Sequence, residues 1–575
     1  MHYYVHMCMR CCTEPRAQRR DASSRNAAPS EVAMDIIDIV VLVGLMAVIS
    51  FYGLYKSFKG AKQSSADEVL HGSNVSILSS ALSVCSGFLS AISLLGFPAE
   101  IYYQGTMLYW YGPMYMVAFP LVAFVFLPVF YRLKLTSIYE TLLYISVGLY
   151  APALALSSIV AIPLSFSILL TAGLSTLYIS VVENIARLMI EPPGSMGCII
   201  CIVQMGICRC FLFLSFRIDP RIRHSVWSLM IGGTGNILSL FAANQLSIQR
   251  YMAMPSLKSA KWVVLLNIPF NFLILTTYVG IGLVLYHAYR FCDPIMPARD
   301  RLFPHFIIEQ ISVFPGLIGI FLAAIYSAGL STLSASYSAL GAVVIEDVIK
   351  QYLQKLCNGK ELKSQHAVLL ARLLPLLFCA LSVALAYTCS LMETMMLQIS
   401  LTIFGVAGGP VLSAFCLGFF FPHIRGIAAF VAQSAATLFC FFVAGGALMS
   451  HVRPVGLPLD RSCGVGNITH FDISDSTCGM VHPLNSDSWL VQLFRISYQY
   501  YSIMALIMAI IVAHIVQFFT KSKNESDLPI NTDLLSALVV QKWQTQNECY
   551  TPTKRTKASV LSVESGALKI GDNAL

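Results

Sequence analysis

The stretch Ser83-Val84-Cys85-Ser86-Gly87-Phe88-Leu89-Ser90-Ala91-Ile92-Ser93-Leu94-Leu95-Gly96-Phe97-Pro98 decides the fold. It is apolar enough for a bilayer, yet it holds four serines and two glycines and ends at a proline. Such residues weaken a helix, so an interrupted helix ending at Pro98 is expected. A second weak stretch is Ile231-Gly232-Gly233-Thr234-Gly235-Asn236, with three glycines in four residues. Interrupted helices at matching places in two halves of a membrane protein point to a binding site at the midplane. The same glycines also fit a plainer reading, in which they only let neighbouring helices approach closely. The two stretches alone do not choose between these.

Working outward, the whole chain reads as membrane. Of its 575 residues 57% are hydrophobic and only 11% charged, against about 25% charged in a soluble domain. Apolar runs of about 20 residues are each long enough to cross a ~30 Å core as a helix. Thirteen such runs lie near 35–57, 78–99, 106–130, 141–161, 163–182, 196–217, 225–245, 262–287, 316–345, 366–389, 392–421, 427–450 and 496–519. The fold class is therefore an all-α membrane protein with about 13 transmembrane helices. The lipid bilayer is its main partner. The net charge of +8 does not mark a nucleic-acid binder, because the basic residues sit in short links between apolar runs.

Those links set the orientation. Lys56, Lys59 and Lys62, then Arg132 and Lys134, then Arg250, Lys258 and Lys261, then Lys350 to Lys363, then Arg425 all fall on one side. That side is expected to be cytoplasmic, with the N-terminus outside and the C-terminus inside. The loop 288–315, with Arg290, Arg299 and Arg301, is an exception. Three regions follow: a disordered tail over 1–33, a transmembrane domain over 34–520 with its core near 78–421, and a disordered cytoplasmic tail over 521–575. The five arginines of 1–33 lie on the unfavoured side, which points to translation starting at Met34. Most of the 17 cysteines lie in apolar runs as small hydrophobes. Cys463 and Cys478 instead share a polar loop with the sequon Asn467-Ile468-Thr469. If that loop is outside, a disulfide and glycosylation at Asn467 are expected.

The chemistry is sparse. Ionisable residues are nearly absent from the apolar runs, so neither a proton relay nor an enzyme's acid or histidine cluster is in view. Glu100 marks one helix end and Asp347 another. Sodium is the coupling ion that fits, because neutral oxygens bind it. Ser331 and Thr332, in Ala328-Gly329-Leu330-Ser331-Thr332, could supply two such oxygens. They could equally bond back to the preceding turn, as hydroxyls often do in membrane helices. The two weak stretches hold no Arg or Lys for an anion, leaving half-helix N-termini and hydroxyls such as Ser90 and Thr234. Gly96 and Gly233 complete the candidate substrate residues.

Leu94-Leu95-Gly96-Phe97-Pro98-Ala99-Glu100-Ile101-Tyr102 resembles the first core helix of the sodium/solute symporter family, in its multivitamin and monocarboxylate branch. Gly148 to Leu156, Asn244-Gln245 to Gln249-Arg250-Tyr251, Cys292-Asp293-Pro294 and Tyr326 to Asp347 resemble it too. The resemblance implies a LeuT-type five-plus-five inverted repeat and sodium-coupled import of a small organic anion across the plasma membrane. It implies sodium ligands at the backbone of Ser86, Leu89 and Ala328 and the hydroxyls of Ser331 and Thr332. The family's Gly-Gly turn, Thr-Asp pair and Gln of the fifth core helix have no counterpart after Leu177-Tyr178, and Arg209 stands mid-segment instead. A divergent, non-transporting paralogue of the same fold is the alternative.

Overall fold

In the computed structural model the described residues are 35–60, 76–88, 90–133, 141–160, 163–173, 215–289, 293–294, 299–311, 314–345, 349, 364–390, 395–450 and 488–520. Cys463, Cys478, Asn467, Leu89, both tails and the divergent segment 174–214 lie outside them. Among the described residues all regular structure is helical.

In chain order the helices are α1 (Ile36–Gly60), α2 (Ile77–Phe88), α3 (Ala91–Gln104), α4 (Thr106–Tyr131), α5 (Thr141–Val160) and α6 (Leu164–Gly173). Then come α7 (Ser228–Ala242), α8 (Gln245–Met252), α9 (Leu257–Tyr289), α10 (Leu302–Ile311), α11 (Leu317–Val343) and α12 (Ser364–Ser390). Last are α13 (Met396–Phe420), α14 (Gly426–Met449), α15 (Trp489–Phe494) and α16 (Tyr501–Thr520). Among the described residues six stretches are long and apolar enough to cross a membrane, and α2 with α3 makes a seventh if taken as one broken span. Every expected run except the sixth overlaps a described helix, the fifth, 163–182, over Leu164–Gly173 alone. Of that sixth run only 215–217 are described, and they are not helical.

The solvent-facing surface is apolar, with Phe430, Leu438, Met449, Phe518 and Phe519 among its exposed large side chains. That is the surface a helix bundle presents to lipid. Lipid gives no hydrophobic drive between helices, so close contact uses small residues. The α14–α16 pair shows this: Ala428, Ala432 and Ala436 on one helix and Ala505, Ala509 and Ala513 on the other are all fully buried. The described cysteines Cys85, Cys379, Cys389, Cys416 and Cys440 form no disulfide with one another and are at least half-buried, as expected of small apolar residues.

Two expectations about helix breaks need correction. Pro98 does not end its helix; α3 runs through it to Gln104. The helix stops at Gly105, whose φ of 89° is left-handed, with its N–H bonded to the Ile101 carbonyl. The glycines of α7 do not open it either. Ser228–Gly232 form a π-turn that runs straight into the α-helix Gly233–Ala242. Tertiary packing overrides the low local propensity. A Cβ on Gly232 would lie 2.5 Å from the Gln499 carbonyl, and one on Gly235 2.9 Å from Ile503. At those two positions the glycines let the N-terminal end of α16 close against α7. The chain breaks instead at Ala243–Asn244, where Asn244 caps α8 by accepting from the Leu246 N–H at 2.9 Å.

Candidate functional site

The site is built around the break between α2 and α3. The segments Ile77–Ser86 and Ala91–Gln104 meet at 62°. Ser90, extended at φ −102° and ψ 165°, starts the second half. Its Oγ accepts from the Ser93 N–H at 3.4 Å, and the Ser93 Oγ accepts from the Ser90 N–H at 3.1 Å. This reciprocal cap satisfies two N–H groups that lipid would leave orphaned. Ser93 also meets the Tyr278 hydroxyl of α9 at 3.0 Å. Phe97 stacks on the Tyr278 ring at 5.4 Å and stands edge-on to Tyr111 of α4 at 6.2 Å.

Both halves of the broken helix pack against α11. There Thr332, which is buried, donates its hydroxyl proton to the Ala328 carbonyl at 3.1 Å. Ser86 does the same to the Ser83 carbonyl at 3.2 Å. A hydroxyl that donates its proton keeps its oxygen as an acceptor, so these back-bonds do not disqualify Thr332 as a cation ligand. The Ser331 side chain and Leu89 lie outside the described residues. Gly329 sets α11 against α5, where a Cβ would lie 2.8 Å from Pro152.

The substrate candidates are spread around this region. Ser90 is buried and engaged in its cap. Gly96 faces α13, where a Cβ would lie 2.9 Å from that of Leu397. Gly233 faces Met114 and Tyr111 of α4 at ordinary contact distance. Thr234 donates to the Met230 carbonyl at 2.5 Å.

Sequence reading missed a dense polar cluster. Arg223, in the loop before α7, donates through Nε to Glu100 at 2.7 Å and through Nη1 to Gln398 of α13 at 2.6 Å. Its guanidinium lies 5.1 Å over the Tyr498 ring. Next to it, His224 Nε2 meets the Tyr498 hydroxyl at 2.9 Å. Burial, with Arg223 alongside, holds the His224 imidazole well below its ordinary value. It is therefore neutral, and its 3.6 Å approach to Glu100 is not an ion pair. The cluster ties α3, the start of α7, α13 and the segment leading into α16 at one end of the bundle. A charge noted at the end of an apolar run, Glu100, was the one signal of it.

A second anchor sits at the same end. Asp300 Oδ2 accepts from the Met396 N–H, at the start of α13, at 2.9 Å. Its Oδ1 is buried without a hydrogen-bond partner among the described residues. Burial, with Glu100 adding to it, pushes this carboxyl up to about 7, while the Met396 N–H and Arg299 oppose the rise. A carboxyl raised from 3.8 stabilises the fold fully below that value and loses the contribution as pH rises through about 7. The unfolding midpoint of the detergent-purified protein should fall over that window. Asp300→Asn, which keeps an acceptor for Met396, should flatten the fall. Parallel curves for the two proteins would refute the assignment.

Sequence comparison places this architecture. A profile of the sodium:solute symporter family matches residues 215–434. The sodium-coupled monocarboxylate transporter 1 of Mus musculus is 30% identical over 543 residues, covering 85% of this chain and 88% of that protein. The chain belongs to the sodium:solute symporter family. The sodium-dependent multivitamin transporter of Oryctolagus cuniculus is 29% identical over 567 residues, covering 89% of this chain and 88% of that one. Among solved structures, a Na+-coupled sialic acid symporter in a substrate-bound outward-open state superposes with a TM-score of 0.58 at 19% identity, over 85% of this chain and 98% of that one. The symporter described here is thus a multi-pass membrane transporter coupled to sodium, and not an enzyme.

Proposed function

We propose that this symporter imports a small organic anion, a monocarboxylate or a vitamin such as biotin or pantothenate, with sodium across the plasma membrane. The N-terminus is outside and the C-terminus inside. The broken helix α2–α3 and the helix α7 are the first and sixth core helices of a LeuT-type five-plus-five inverted repeat, and α11 is the eighth. Sodium is held by the backbone of Ser86, Leu89 and Ala328 with the hydroxyls of Ser331 and Thr332. The substrate sits beside the break, near Ser90, Gly96, Gly233 and Thr234. The observation that carries this reading is the 62° break packed against the helix that bears the hydroxyl pair. An unwound stretch offers carbonyls with no helical partner, and a dehydrated cation needs such oxygens. The names of the relatives supply the substrate classes.

Sodium binding from outside would favour the outward-open state, and the membrane potential adds about 2.3 kcal/mol per charge per 100 mV. The test is uptake of radiolabelled lactate, biotin, pantothenate and iodide by expressing cells, with and without sodium. Sodium-dependent uptake of one organic anion is expected. The Ser331→Ala/Thr332→Ala double variant should lose at least ten-fold of it, the loss of two direct ligands at about 1.4 kcal/mol per decade. No uptake of any substrate at normal surface expression would favour the non-transporting paralogue instead.

A further inference from the structure

The turn between α13 and α14 and the last turns of α16 bring together two imidazoles that lie outside the proposed sodium and substrate residues. Phe421-Pro422-His423-Ile424 is a tight turn closed by the Ile424 N–H on the Phe421 carbonyl at 3.1 Å. Proline at its second position fixes the backbone φ there. The neighbouring Arg425 N–H donates to the Gln517 Oε1 of α16 at 2.9 Å, which pins the turn to that helix. One turn earlier on α16, His514 faces the turn, its Nε2 3.3 Å from the Nε2 of His423. The Phe421 ring stands edge-on to both, at 5.1 Å from His514 and 6.1 Å from His423.

The tautomer of His514 is fixed. Its Nδ1 lies 2.7 Å from the Ile510 carbonyl, which only accepts, so Nδ1 carries the proton. With the ring neutral, Nε2 presents a lone pair toward His423. A backbone carbonyl on the far nitrogen is the usual support of a metal-ligating histidine. His423 is exposed, at the surface end of the turn. The separation also suits a metal. Two nitrogens each about 2.0–2.1 Å from a tetrahedral zinc lie about 3.3–3.4 Å apart. The observed 3.3 Å matches that bite, and in the metal-free protein it lets one ring hydrogen-bond the other.

We infer that His423 and His514 form a two-imidazole site for a divalent transition-metal ion of the zinc class, clipping the α13–α14 turn to α16. Among the described residues no group of three or more His, Cys, Asp or Glu side chains is placed to hold a metal, so water completes the coordination. Imidazole selects zinc, copper and nickel over magnesium and calcium. The site needs neither sodium nor substrate, and it stands apart from the function proposed above.

The test is Zn2+ titration of the EDTA-stripped, detergent-purified full chain by calorimetry, with Co2+ absorption as a second probe. Wild type should bind one more equivalent than His423→Ala/His514→Ala, and the difference removes any zinc bound elsewhere on the chain. Each single variant should weaken that equivalent at least ten-fold, and His514→Cys should restore it. Zn2+ should also raise the unfolding midpoint of wild type but not of the double variant, because the ion binds only the folded arrangement. Equal zinc stoichiometry in wild type and the double variant, or no midpoint shift in wild type, overturns the site.

Discussion

Glu100→Ala should cost this symporter about 3–5 kcal/mol of stability, the penalty for leaving a buried charge without its partner. The Glu100 side chain is fully buried and that of Arg223 is 12% exposed, with 2.6 Å between them. Removing the carboxylate leaves the guanidinium with the Gln398 oxygen and the Tyr498 ring, neither of which carries a full negative charge. The converse variant, Arg223→Met, should be nearly as damaging, because it strands the carboxylate. Combining Glu100→Ala with Arg223→Met removes both charges, and most of the loss should return. A cycle of unfolding midpoints in detergent measures this. Strong positive coupling between the two positions is expected, since they share one network. Strict additivity, or a Glu100→Ala protein as stable as wild type, would show that the pair holds nothing. The functional effect follows from place. The pair joins α3 and the entrance of α7 to α13, so those elements separate only when it breaks. Glu100→Gln should therefore alter uptake kinetics at normal surface expression even where the fold survives.

Why the break was legible and this pair was not is a matter of range. Ser83 to Pro98 announces its interruption through residues that act on their own backbone, and the 62° bend falls among them. The same local logic failed for Gly232–Gly235, because what decides their conformation is the Gln499 carbonyl and Ile503, far along the chain. Thr332 shows both readings at once: it bonds back to Ala328, and the bond leaves its oxygen able to accept. Arg223 and Glu100 are 123 residues apart, and His423 and His514 are 91 apart. Nothing in the pattern of either stretch names the other. The relatives carry what the pattern cannot, namely the family and its ion.

Asp38 is the plainest case of a residue whose role only the fold reveals, and its variants should be the second most damaging. It reads as one charge in the apolar run of α1, and a charge in such a place carries a cost unless it has a task. Its Oδ1 accepts from the Gly316 N–H at 2.9 Å and the Gly319 N–H at 3.1 Å. These belong to the first turn of α11, whose N–H groups have no partner within the helix. A carboxylate there also faces the positive end of the helix dipole. Gly316, at φ 93°, holds a left-handed turn that suits glycine. At Gly319 the two helices touch so closely that a Cβ would lie 2.3 Å from the Asp38 carbonyl. Gly319→Ala must therefore push α1 away and stretch both hydrogen bonds, at about 1–3 kcal/mol for the overpacking. Asp38→Ala leaves two buried donors unpaired, at about 1–3 kcal/mol. Asp38→Asn keeps an acceptor oxygen and should cost less than half as much. Because α11 carries Thr332, a loosened first turn should also raise the sodium concentration needed for half-maximal uptake in Asp38→Ala, with Asp38→Asn in between. Unfolding midpoints and sodium titrations of uptake read the two effects separately. An Asp38→Ala protein that matches wild type in both would mean that α1 merely lies against α11 without holding it.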